Sequence, residues 1–318
     1  MNKKKPKIAA VVVTFNRKTL LEENINALLN QTHKLDAIYI IDNASTDGTK
    51  EYLKEKNLFD KVRYFKLKEN TGGAGGFNFG FEKTYRHFDW IWAMDDDAIP
   101  YKDALEKLID NKYFNNNKIG ALCCNTIYTK DSFNAVIEAI MRNDYLFYKE
   151  ILNNNDFKED FVKIRTFSLL GILIKTKIIK EIGNVNKHLF IEGDDLDFTL
   201  RISKKYEIFW IRHSKLLHKV SKNMFNTKKI LNRNINIISS NQIWKEYYGI
   251  RNHIYILKNS KLISKKEILN YVVYNIKYYI LIIFFLDKKI LRLVVLSNAL
   301  KDGFRENLGK KYDYRSFD

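Results

Sequence analysis

The sequence predicts an α/β protein with a mostly parallel central sheet, flanked by helices, and a helical extension at its C-terminal end. Short β-branched runs alternate with amphipathic helical patterns through the first two thirds of the chain. This alternation is typical of parallel βαβ units, whose ligand sites lie at the carboxyl ends of the strands. From about Asn241 the pattern changes to three long helical segments rich in Tyr, aliphatic and basic residues. We therefore expect an α/β domain over residues 1–225 and a basic, aromatic helical region over residues 226–318.

Composition limits the possible classes of protein. The chain has 318 residues, of which 46% are hydrophobic and 14% aromatic, so a large core is available and wholesale disorder is excluded. The net charge of +18 favours an anionic partner, such as nucleic acid, acidic lipid or a phosphorylated substrate. Cys123 and Cys124 are adjacent and show no disulfide or metal spacing, which fits a reducing cytoplasm. The first residues lack the apolar core and cleavage site of a signal peptide.

The elements follow from apolar periodicity and from capping patterns. In the first predicted helix, Thr19 and Glu22 have the spacing of a capping box. The predicted strands are Ile8–Thr14, Ala37–Ile41, Val62–Leu67, a run that starts at Trp90 and ends at the acidic residues, Ile119–Asn125, Phe167–Ile174 and Glu207–Ile211. The predicted helices are one with Leu21, Ile25, Leu28 and Leu29 on its apolar face, one that opens near Thr49, Phe77–His87, Lys102–Tyr113, Leu196–Lys204, Ile243–Asn259, Lys265–Leu286 and Lys288–Leu308.

Three consecutive carboxylates follow the strand that begins at Trp90. Asp95, Asp96 and Asp97 repel one another unless a cation lies among them, and Mg²⁺ and Mn²⁺ prefer carboxylate and phosphate oxygens. Because ligands bind at the carboxyl ends of strands, we expect a site for a metal ion and a diphosphate here. The alternative is a solvated acidic turn.

Other polar segments could complete such a site. Asn70–Gly76 contains four glycines, which let backbone approach a ligand, although the segment is neither a Walker A loop nor a clean dinucleotide motif. A flexible turn explains it equally well. A second acidic cluster, Glu192–Asp197, precedes a helix; capping explains one or two of its carboxylates, and another could act as a general base. His213 and His218 are either metal ligands or surface residues.

Two further segments have a predicted role at the periphery. Ser132–Asp160 is polar and irregular, and we expect it to form a loop over the acceptor side. Lys265–Leu286 mixes aliphatic and aromatic residues between basic ones, as helices in a lipid headgroup layer do. Its longest apolar run, Tyr278–Leu286, is too short to span a bilayer. The alternatives are a helical subdomain packed on the core and a dimer interface.

Taken together, these motifs resemble those of family-2 glycosyltransferases with the GT-A fold, over roughly residues 7–220. Within that family the chain is most similar to bacterial galactofuranosyltransferases, with rhamnosyltransferases of polysaccharide synthesis close behind. The segment Tyr247–Asn252 resembles one that follows the catalytic domain in both groups. Gly193 departs from the galactofuranosyltransferases, which carry Trp before the acidic pair. The motifs that carry the resemblance are Val11–Arg17, Ile41–Thr49, Asn70–Gly76, Asp95–Asp97 and Asp194–Asp197.

The resemblance implies a role for each matching residue. Asp195 is implied to be the catalytic base, with Asp194 beside it orienting the acceptor. Asp42 is implied to accept a hydrogen bond from the uracil or thymine ring. The residues implied to bind the nucleotide sugar are Thr14, Phe15, Asn16, Arg17, Asp42, Asn70, Gly72, Gly73, Gly76, Asp95 and Asp96. The residues implied to hold Mn²⁺ or Mg²⁺ are Asp95, Asp97 and His218.

The implied reaction is an inverting, metal-dependent transfer of a sugar from a nucleotide-diphosphate donor to a hydroxyl of a lipid-linked, polyprenyl saccharide. Galactofuranose is the favoured sugar and dTDP-rhamnose the alternative donor. We expect a peripheral protein on the cytoplasmic face of the plasma membrane that contacts anionic lipid, can form a homo-oligomer and binds no nucleic acid. Two other classes stay open from the residues alone: a sugar-phosphate nucleotidyltransferase, and a basic nucleic-acid-binding protein.

Overall fold

A computed structural model describes residues 5–128, 138–139, 151–152, 159–219, 225–230, 233–313 and 316 of the chain. The chain divides into two units. The first comprises Met1–Lys187 and Asp195–Val220, and the second comprises His188–Asp194 and Ser221–Asp318. The segment ahead of the second acidic cluster therefore belongs to the same unit as the C-terminal helices.

The elements confirm the predicted α/β class with a C-terminal group of helices. The strands are β1 (Ile8–Thr14), β2 (Ala37–Asp42), β3 (Arg63–Lys66), β4 (Trp90–Asp95), β5 (Ala98–Pro100), β6 (Ile119–Tyr128), β7 (Glu138–Ala139), β8 (Ile151–Leu152), β9 (Phe161–Ile164), β10 (Ile172–Lys175), β11 (Glu207–His218), β12 (Phe225–Ile230) and β13 (Arg233–Ile238). The helices are α1 (Lys18–Leu29), α2 (Thr49–Glu55), α3 (Gly72–Thr84), α4 (Ala104–Ile109), α5 (Thr176–Ile182), α6 (Asp194–Ser203), α7 (Ile243–Asn259), α8 (Lys265–Phe285) and α9 (Lys289–Arg305).

The central sheet of the first unit is mixed. Its strand order is β3-β2-β1-β4-β10-β6-β11-β5, with β9 paired to β11. The pairs within β3-β2-β1-β4 are parallel, as predicted, whereas β10 runs antiparallel to both β4 and β6. Thr14 pairs with Asp42, and Val13 pairs with Asp95. The ends of β1, β2 and β4 therefore bring their polar residues to one edge of the sheet.

Burial explains why these runs form strands. Every residue of β1 is buried, as expected for a β-branched strand covered on both faces. Leu21, Ile25 and Leu28 of α1 are buried, which confirms the predicted apolar face. The two cysteines are buried and unbridged in β6, and burial raises the pKa of Cys124 to about 12. Gly171 marks a close approach of two backbone segments: its N–H donates to Ala93 O at 2.8 Å, and its φ is +83°.

Several predicted boundaries are wrong. No side-chain capping bond is made at the start of α1, because the helix begins at Lys18 and Thr19 lies inside it. Helix α3 begins at Gly72 rather than Phe77, so the glycine-rich segment is its first turn instead of a free loop. An ideal Cβ at Gly80 would stand 2.4 Å from Val11 Cγ1, which shows that α3 needs glycine to pack on β1. The helix predicted over Lys102–Tyr113 is limited to α4.

The middle of the chain also differs from the prediction. Strand β10 is shorter than the predicted Phe167–Ile174, and β11 extends beyond the predicted Glu207–Ile211 as far as His218. Strands β5 and β9 and the β12–β13 hairpin were not predicted. Most of the loop predicted over Ser132–Asp160 lies outside the described residues.

In the second unit, α7 has the predicted bounds and α8 and α9 differ from them by one to three residues. Buried polar bonds join the helices: Arg292 Nη1 lies 2.5 Å from Glu246 Oε1, and Tyr278 donates to the same oxygen at 2.6 Å. A capping box formed by Ser264 and Glu267 starts α8. The residues of one apolar core cluster are Phe190, Ile243, Tyr247, Tyr248, Val295 and Ala299.

Helix α8 corrects the expectation about membrane-spanning length. Within the described residues it is the helix long and apolar enough to cross a membrane, with a mean hydropathy of 1.6 over 18 residues. The sequence argument counted only the unbroken run Tyr278–Leu286, whereas the helix continues the apolar pattern over 21 residues. Only 17% of that window is buried in the protein, so most of the apolar helix surface is exposed.

Candidate active site

The acidic residues at the end of β4 form a sharp turn held against β1. Asp96 is buried; its N–H donates to Val13 O at 3.2 Å, and its Oδ2 accepts from Thr14 Oγ1 at 2.7 Å. Asp97 is also buried, whereas Asp95 is partly exposed. The turn is therefore not the solvated acidic turn considered as the alternative.

Arg17 supplies positive charge to this turn. Its Nη1 lies 2.6 Å from Asp97 Oδ2 and 3.1 Å from Asp96 Oδ1, while 46% of its side chain is exposed. The guanidinium thus bridges two buried carboxylates from the solvent side. This contact explains how adjacent Asp side chains are tolerated in the fold, since an unpaired buried carboxylate is costly.

The pKa values of the two buried carboxyls shift in opposite directions. Burial raises the pKa of Asp96 to about 6, against the opposing effect of Arg17 and Thr14. Burial also acts to raise the pKa of Asp97, but His218 and Arg17 outweigh it, so the pKa of Asp97 is lowered. Asp97 is therefore the residue of the pair held most firmly as an anion, as a metal ligand must be.

His218 completes this cluster at the end of β11. Its Nε2 lies 3.3 Å from Asp97 Oδ1, and the N–H of the next residue, Lys219, donates to Asp97 O at 2.9 Å. His213 instead pairs with Asp160 at 2.8 Å, where both side chains are more than half exposed. The structure thus brings one of the two candidate histidines to the acidic turn and leaves the other at the surface.

The wall beside the turn is formed by the loops after β1 and β2. Asn16 has a left-handed backbone (φ +53°), and its Oδ1 accepts from Thr46 N at 2.7 Å. Asp42 is fully buried, and its Oδ1 accepts from Ser45 N at 2.7 Å while Oδ2 accepts from the Tyr64 hydroxyl. Burial and this carboxylate raise the pKa of Tyr64 far above its usual value. Phe15 is half-buried next to Thr14.

The glycine-rich segment Asn70–Gly76 lies beside the loop that follows β2. Asn70 Oδ1 accepts from Gly72 N at 2.8 Å, which fixes the start of α3. Asn43 holds the same turn, because its Nδ2 donates to Gly72 O at 2.8 Å. At Gly73 an added Cβ would meet nothing within 4 Å, whereas at Gly76 it would stand 2.6 Å from Val13 Cγ1. Gly73 therefore faces open space, and Gly76 serves the packing of α3 on β1.

The last turn of α6 lies near the starts of β6 and β11: a Cβ at Gly120 would meet Ile202 at 2.7 Å, and Glu207 pairs with Ile119. Since β6 is parallel to β4, these starts lie at the edge opposite the acidic turn. Asp195 lies at the other end of the helix, in its first turn.

Sequence reasoning missed one residue that shapes the acidic turn. Asn24 is fully buried on α1, and its Nδ2 donates to Ala98 O at 2.5 Å. Its position could have indicated this, because an amide on the apolar face of a predicted helix needs a buried hydrogen-bond partner. Asn24 thus fixes the backbone just after the three carboxylates.

Among the residues that the structure describes, no three His, Cys, Asp or Glu side chains come together as a preformed metal site. Of the three predicted ligands, Asp97 and His218 are in contact, and Asp95 is not grouped with them. Two protein ligands still fit Mg²⁺ or Mn²⁺, because such ions are commonly bound by one or two side chains together with substrate phosphates.

Parts of this chain are similar in sequence to known proteins. The chain shares 34% identity over 94 residues with the galactofuranosyltransferase GlfT1 of Mycolicibacterium smegmatis, covering 29% of this chain and 30% of that protein. It shares 34% identity over 107 residues with a GalNAc(5)-diNAcBac-PP-undecaprenol beta-1,3-glucosyltransferase of Campylobacter jejuni, covering 33% and 34%. Each match thus spans about a third of the relative's length.

Fold similarity extends further along the chain than these local identities do. The structure of S. aureus TarS 1-349 in complex with UDP matches with a TM-score of 0.54 and 15% identity, over 94% of this chain and 72% of that one. The family model for glycosyl transferase family 2 matches residues 9–175, more than half of the chain. The chain belongs to glycosyl transferase family 2.

Proposed function

We propose that this protein is an inverting, metal-dependent glycosyltransferase that moves a sugar from a nucleotide-diphosphate donor to a hydroxyl of a lipid-linked saccharide. The observation that carries the proposal is the buried turn Asp95–Asp97 at the end of β4, which Arg17 and His218 contact. We propose that this turn binds the leaving diphosphate, and that Asp195 in the first turn of α6 faces the same region and takes a proton.

A bound Mg²⁺ or Mn²⁺ ion, held by Asp97 and His218, would neutralise the charge that develops on the diphosphate. Arg17 adds a second positive charge at the same place. Thr14 fixes the orientation of Asp96, so the turn keeps its shape while the donor enters and the product leaves. These residues therefore serve the leaving group rather than the attacking one.

Asp195 is the residue proposed to act on the attacking group. Its carboxylate accepts the proton of the acceptor hydroxyl as that oxygen forms a bond to the anomeric carbon. The bond from the anomeric carbon to the diphosphate oxygen breaks in the same step, and the nucleoside diphosphate leaves with the electron pair. A single displacement inverts the configuration at that carbon. Asp194, the first residue of α6, is proposed to orient the acceptor.

Galactofuranose is the favoured sugar, and the identity with a galactofuranosyltransferase supports it. dTDP-rhamnose is the alternative donor. A lipid-linked acceptor is supported by the undecaprenol-linked substrate in the name of the second relative. Family membership favours glycosyl transfer over nucleotidyl transfer and nucleic-acid binding, and the released product separates the two enzymes: nucleoside diphosphate in the first case, pyrophosphate in the second.

A thermal-shift series with UDP, dTDP, UDP-galactofuranose and dTDP-rhamnose, each with and without Mn²⁺, tests the donor side. At a concentration of 100 times Kd, a nucleotide stabilises the fold by about 2.7 kcal/mol. We expect one base to stabilise the protein, mainly when Mn²⁺ is present. The variant Asp97→Asn should lose the Mn²⁺-dependent part of the shift. A protein indifferent to all four compounds and to Mn²⁺ would refute the proposed function.

We also propose that α8 lies in the surface of an anionic membrane, on the cytoplasmic side where nucleotide sugars are made. Its buried residues, among them Tyr271, Asn275 and Ile282, pack on the rest of the second unit, so lipid can cover one side of the helix only. Exposed apolar side chains on the helix are Ile268, Leu269, Val272, Val273, Tyr274, Ile276, Ile280, Ile283, Phe284 and Phe285. Exposed basic side chains around them are Lys265, Lys266, Lys277, Lys288 and Lys289.

Flotation with phosphatidylglycerol vesicles tests this surface. Ile280→Glu combined with Phe284→Glu should release the protein, because both side chains are at least half exposed, at 50% and 66%. Tyr101→Glu, at an apolar residue of the first unit that is 47% exposed, is the matched control and should not change binding. If α8 spans the bilayer, an alkaline wash will leave the protein in the membrane. If it joins two copies of the chain, the double variant will instead change the oligomeric state.

A further inference from the structure

Residues 188–193, which lead into α6, have an unusual backbone conformation. Three residues of this segment have a left-handed conformation: Phe190 (φ +68°), Glu192 (φ +61°) and Gly193 (φ +84°). Non-glycine residues adopt this conformation at a cost and keep it only where surrounding contacts impose it. The next residues are Asp194 and Asp195, so whatever imposes this backbone also sets where α6 begins.

Helix α7 supplies those contacts through Asn252. Its Nδ2 donates to three backbone carbonyls of the segment: Leu189 O at 2.9 Å, Ile191 O at 2.8 Å and Glu192 O at 2.6 Å. The side chain is fully buried. A single amide group therefore holds the segment on both sides of its first left-handed residue.

Arg251 strengthens the same arrangement. Its Nη2 donates to Leu189 O at 3.0 Å, and its Nε donates to Asn252 Oδ1 at 2.8 Å, which fixes the orientation of the amide. Its Nη1 donates to Gly309 O at 2.6 Å, and the N–H of Gly309 donates to His188 O at 2.6 Å. The guanidinium is fully buried and lies over the ring of Tyr248 at 4.8 Å.

Gly193 is confined by the same helix. A Cβ at this position would stand 3.3 Å from Ile256 Cδ1 and 3.4 Å from Asn252 Cβ, and the φ of +84° disfavours any side chain. This position therefore has little room for a side chain, because α7 packs against the segment here.

We propose that Arg251 and Asn252 are positioning residues for the catalytic base. Their bonds to residues 188–193 fix the backbone conformation from which α6 starts, and with it the position of Asp195. The inference rests on the proposed role of Asp195 in the proposed function. It assigns a function to the segment Tyr247–Asn252, which has no role in the acidic and glycine-rich motifs.

The test compares Asn252→Asp with a control in the same unit. The Asp side chain keeps the shape of Asn but presents oxygens to three carbonyl oxygens, so the segment should lose its fixed conformation. Tyr278→Phe removes one buried hydrogen bond, to Glu246, without touching residues 188–193. Hydrogen exchange at the amides of residues 189–193 should become faster in Asn252→Asp and stay unchanged in Tyr278→Phe.

Catalysis and nucleotide binding are measured on the same proteins. Because a displacement of a catalytic group by about 1 Å can cost about 100-fold in rate, we expect kcat of Asn252→Asp to fall about 100-fold. The Kd for UDP or dTDP with Mn²⁺ should change less than twofold. Gly193→Ala, which disturbs the segment from its other side, should also lower kcat and leave the nucleotide Kd unchanged, and it serves if Asn252→Asp does not fold.

The outcomes separate this inference from the proposed function. Unchanged exchange at residues 189–193 in Asn252→Asp would show that these bonds do not hold the segment. Faster exchange with unchanged kcat would show that the segment does not position the base. If the wild-type protein transfers no sugar from any donor, the proposed function fails, and the exchange measurement still decides whether Arg251 and Asn252 fix the segment.

Discussion

The two acidic clusters of this protein are held by different kinds of contact. The turn Asp95–Asp97 in the first unit is contacted by charged groups, chiefly Arg17, whose side chain is 46% exposed. The segment before Asp194 in the second unit is held by hydrogen bonds from Arg251 and Asn252 to backbone carbonyls, which carry no net charge, and both donor side chains are fully buried. The Arg17 guanidinium is open to solvent, so water or another cation can take its place beside the carboxylates, whereas buried hydrogen bonds are costly to break.

The difference matches the task proposed for each cluster. A diphosphate and its metal ion must bind and leave in every cycle, so partial exposure and exchangeable charges suit the turn at β4. A general base must stay in one place relative to the acceptor hydroxyl, so a fixed backbone suits the start of α6. The predictions below test this contrast, starting with the largest expected effect.

Replacing the proposed base should have the largest effect. Asp195→Asn should lower transfer about 10²- to 10⁴-fold, the usual contribution of a general base, while the nucleotide still binds. Asp197→Asn, on the same helix, is the matched control: this residue pairs with Arg201 at 2.8 Å, and we expect little loss of turnover. Turnover and calorimetric nucleotide binding are the measurements. Loss of both in Asp195→Asn would mean that Asp195 is structural.

The variants Arg251→Met and Arg17→Met should differ in their free energy of unfolding, because the first removes buried hydrogen bonds and the second removes a partly exposed ionic contact. Arg251→Met removes the side-chain donor of Gly309 O and one of the donors of Leu189 O, and it leaves Asn252 Oδ1 without the Arg251 Nε, so we expect a loss of about 3 kcal/mol in the free energy of unfolding. Arg17→Met should cost less, about 1 kcal/mol, because the guanidinium covers the two buried carboxylates from the solvent side and water can take its place there. Urea unfolding measures both values. Equal losses would contradict the contrast.

The smallest expected effect concerns the response of the Arg17 variant to metal. Removing the guanidinium leaves Asp96 and Asp97 without their nearest cation, so Mn²⁺ should gain affinity for the turn. We expect the Mn²⁺-induced rise in Tm to be larger in Arg17→Met than in the wild-type protein, by a few degrees. EDTA-treated samples of both proteins are the reference. An identical rise in the two proteins would place the metal away from this turn.

The local sequence was sufficient where the structure depends on residues close in the chain. The strand from Ile8, the helix α7 and the polar ends of β1, β2 and β4 follow from periodicity and residue type, and all three are confirmed. The acidic triplet and His218 were identified as one group through family resemblance, and the structure brings Asp97 and His218 into contact. Residue type and strand periodicity are local properties, so the acidic triplet could be found from the sequence itself. His218 was singled out only by the family resemblance.

Only the tertiary structure decided three other features. The start of α3 at Gly72 depends on the fit of Gly76 and Gly80 against Val13 and Val11, which no sequence window contains. The antiparallel direction of β10 depends on partners about fifty or more residues away in the chain.

The third feature is the set of hydrogen bonds that Arg251 and Asn252 make. These bonds join donors in α7 to carbonyls about sixty residues earlier in the chain. Sequence sets which groups can bond, but long-range packing selects the partners, because backbone carbonyls are chemically alike wherever they occur.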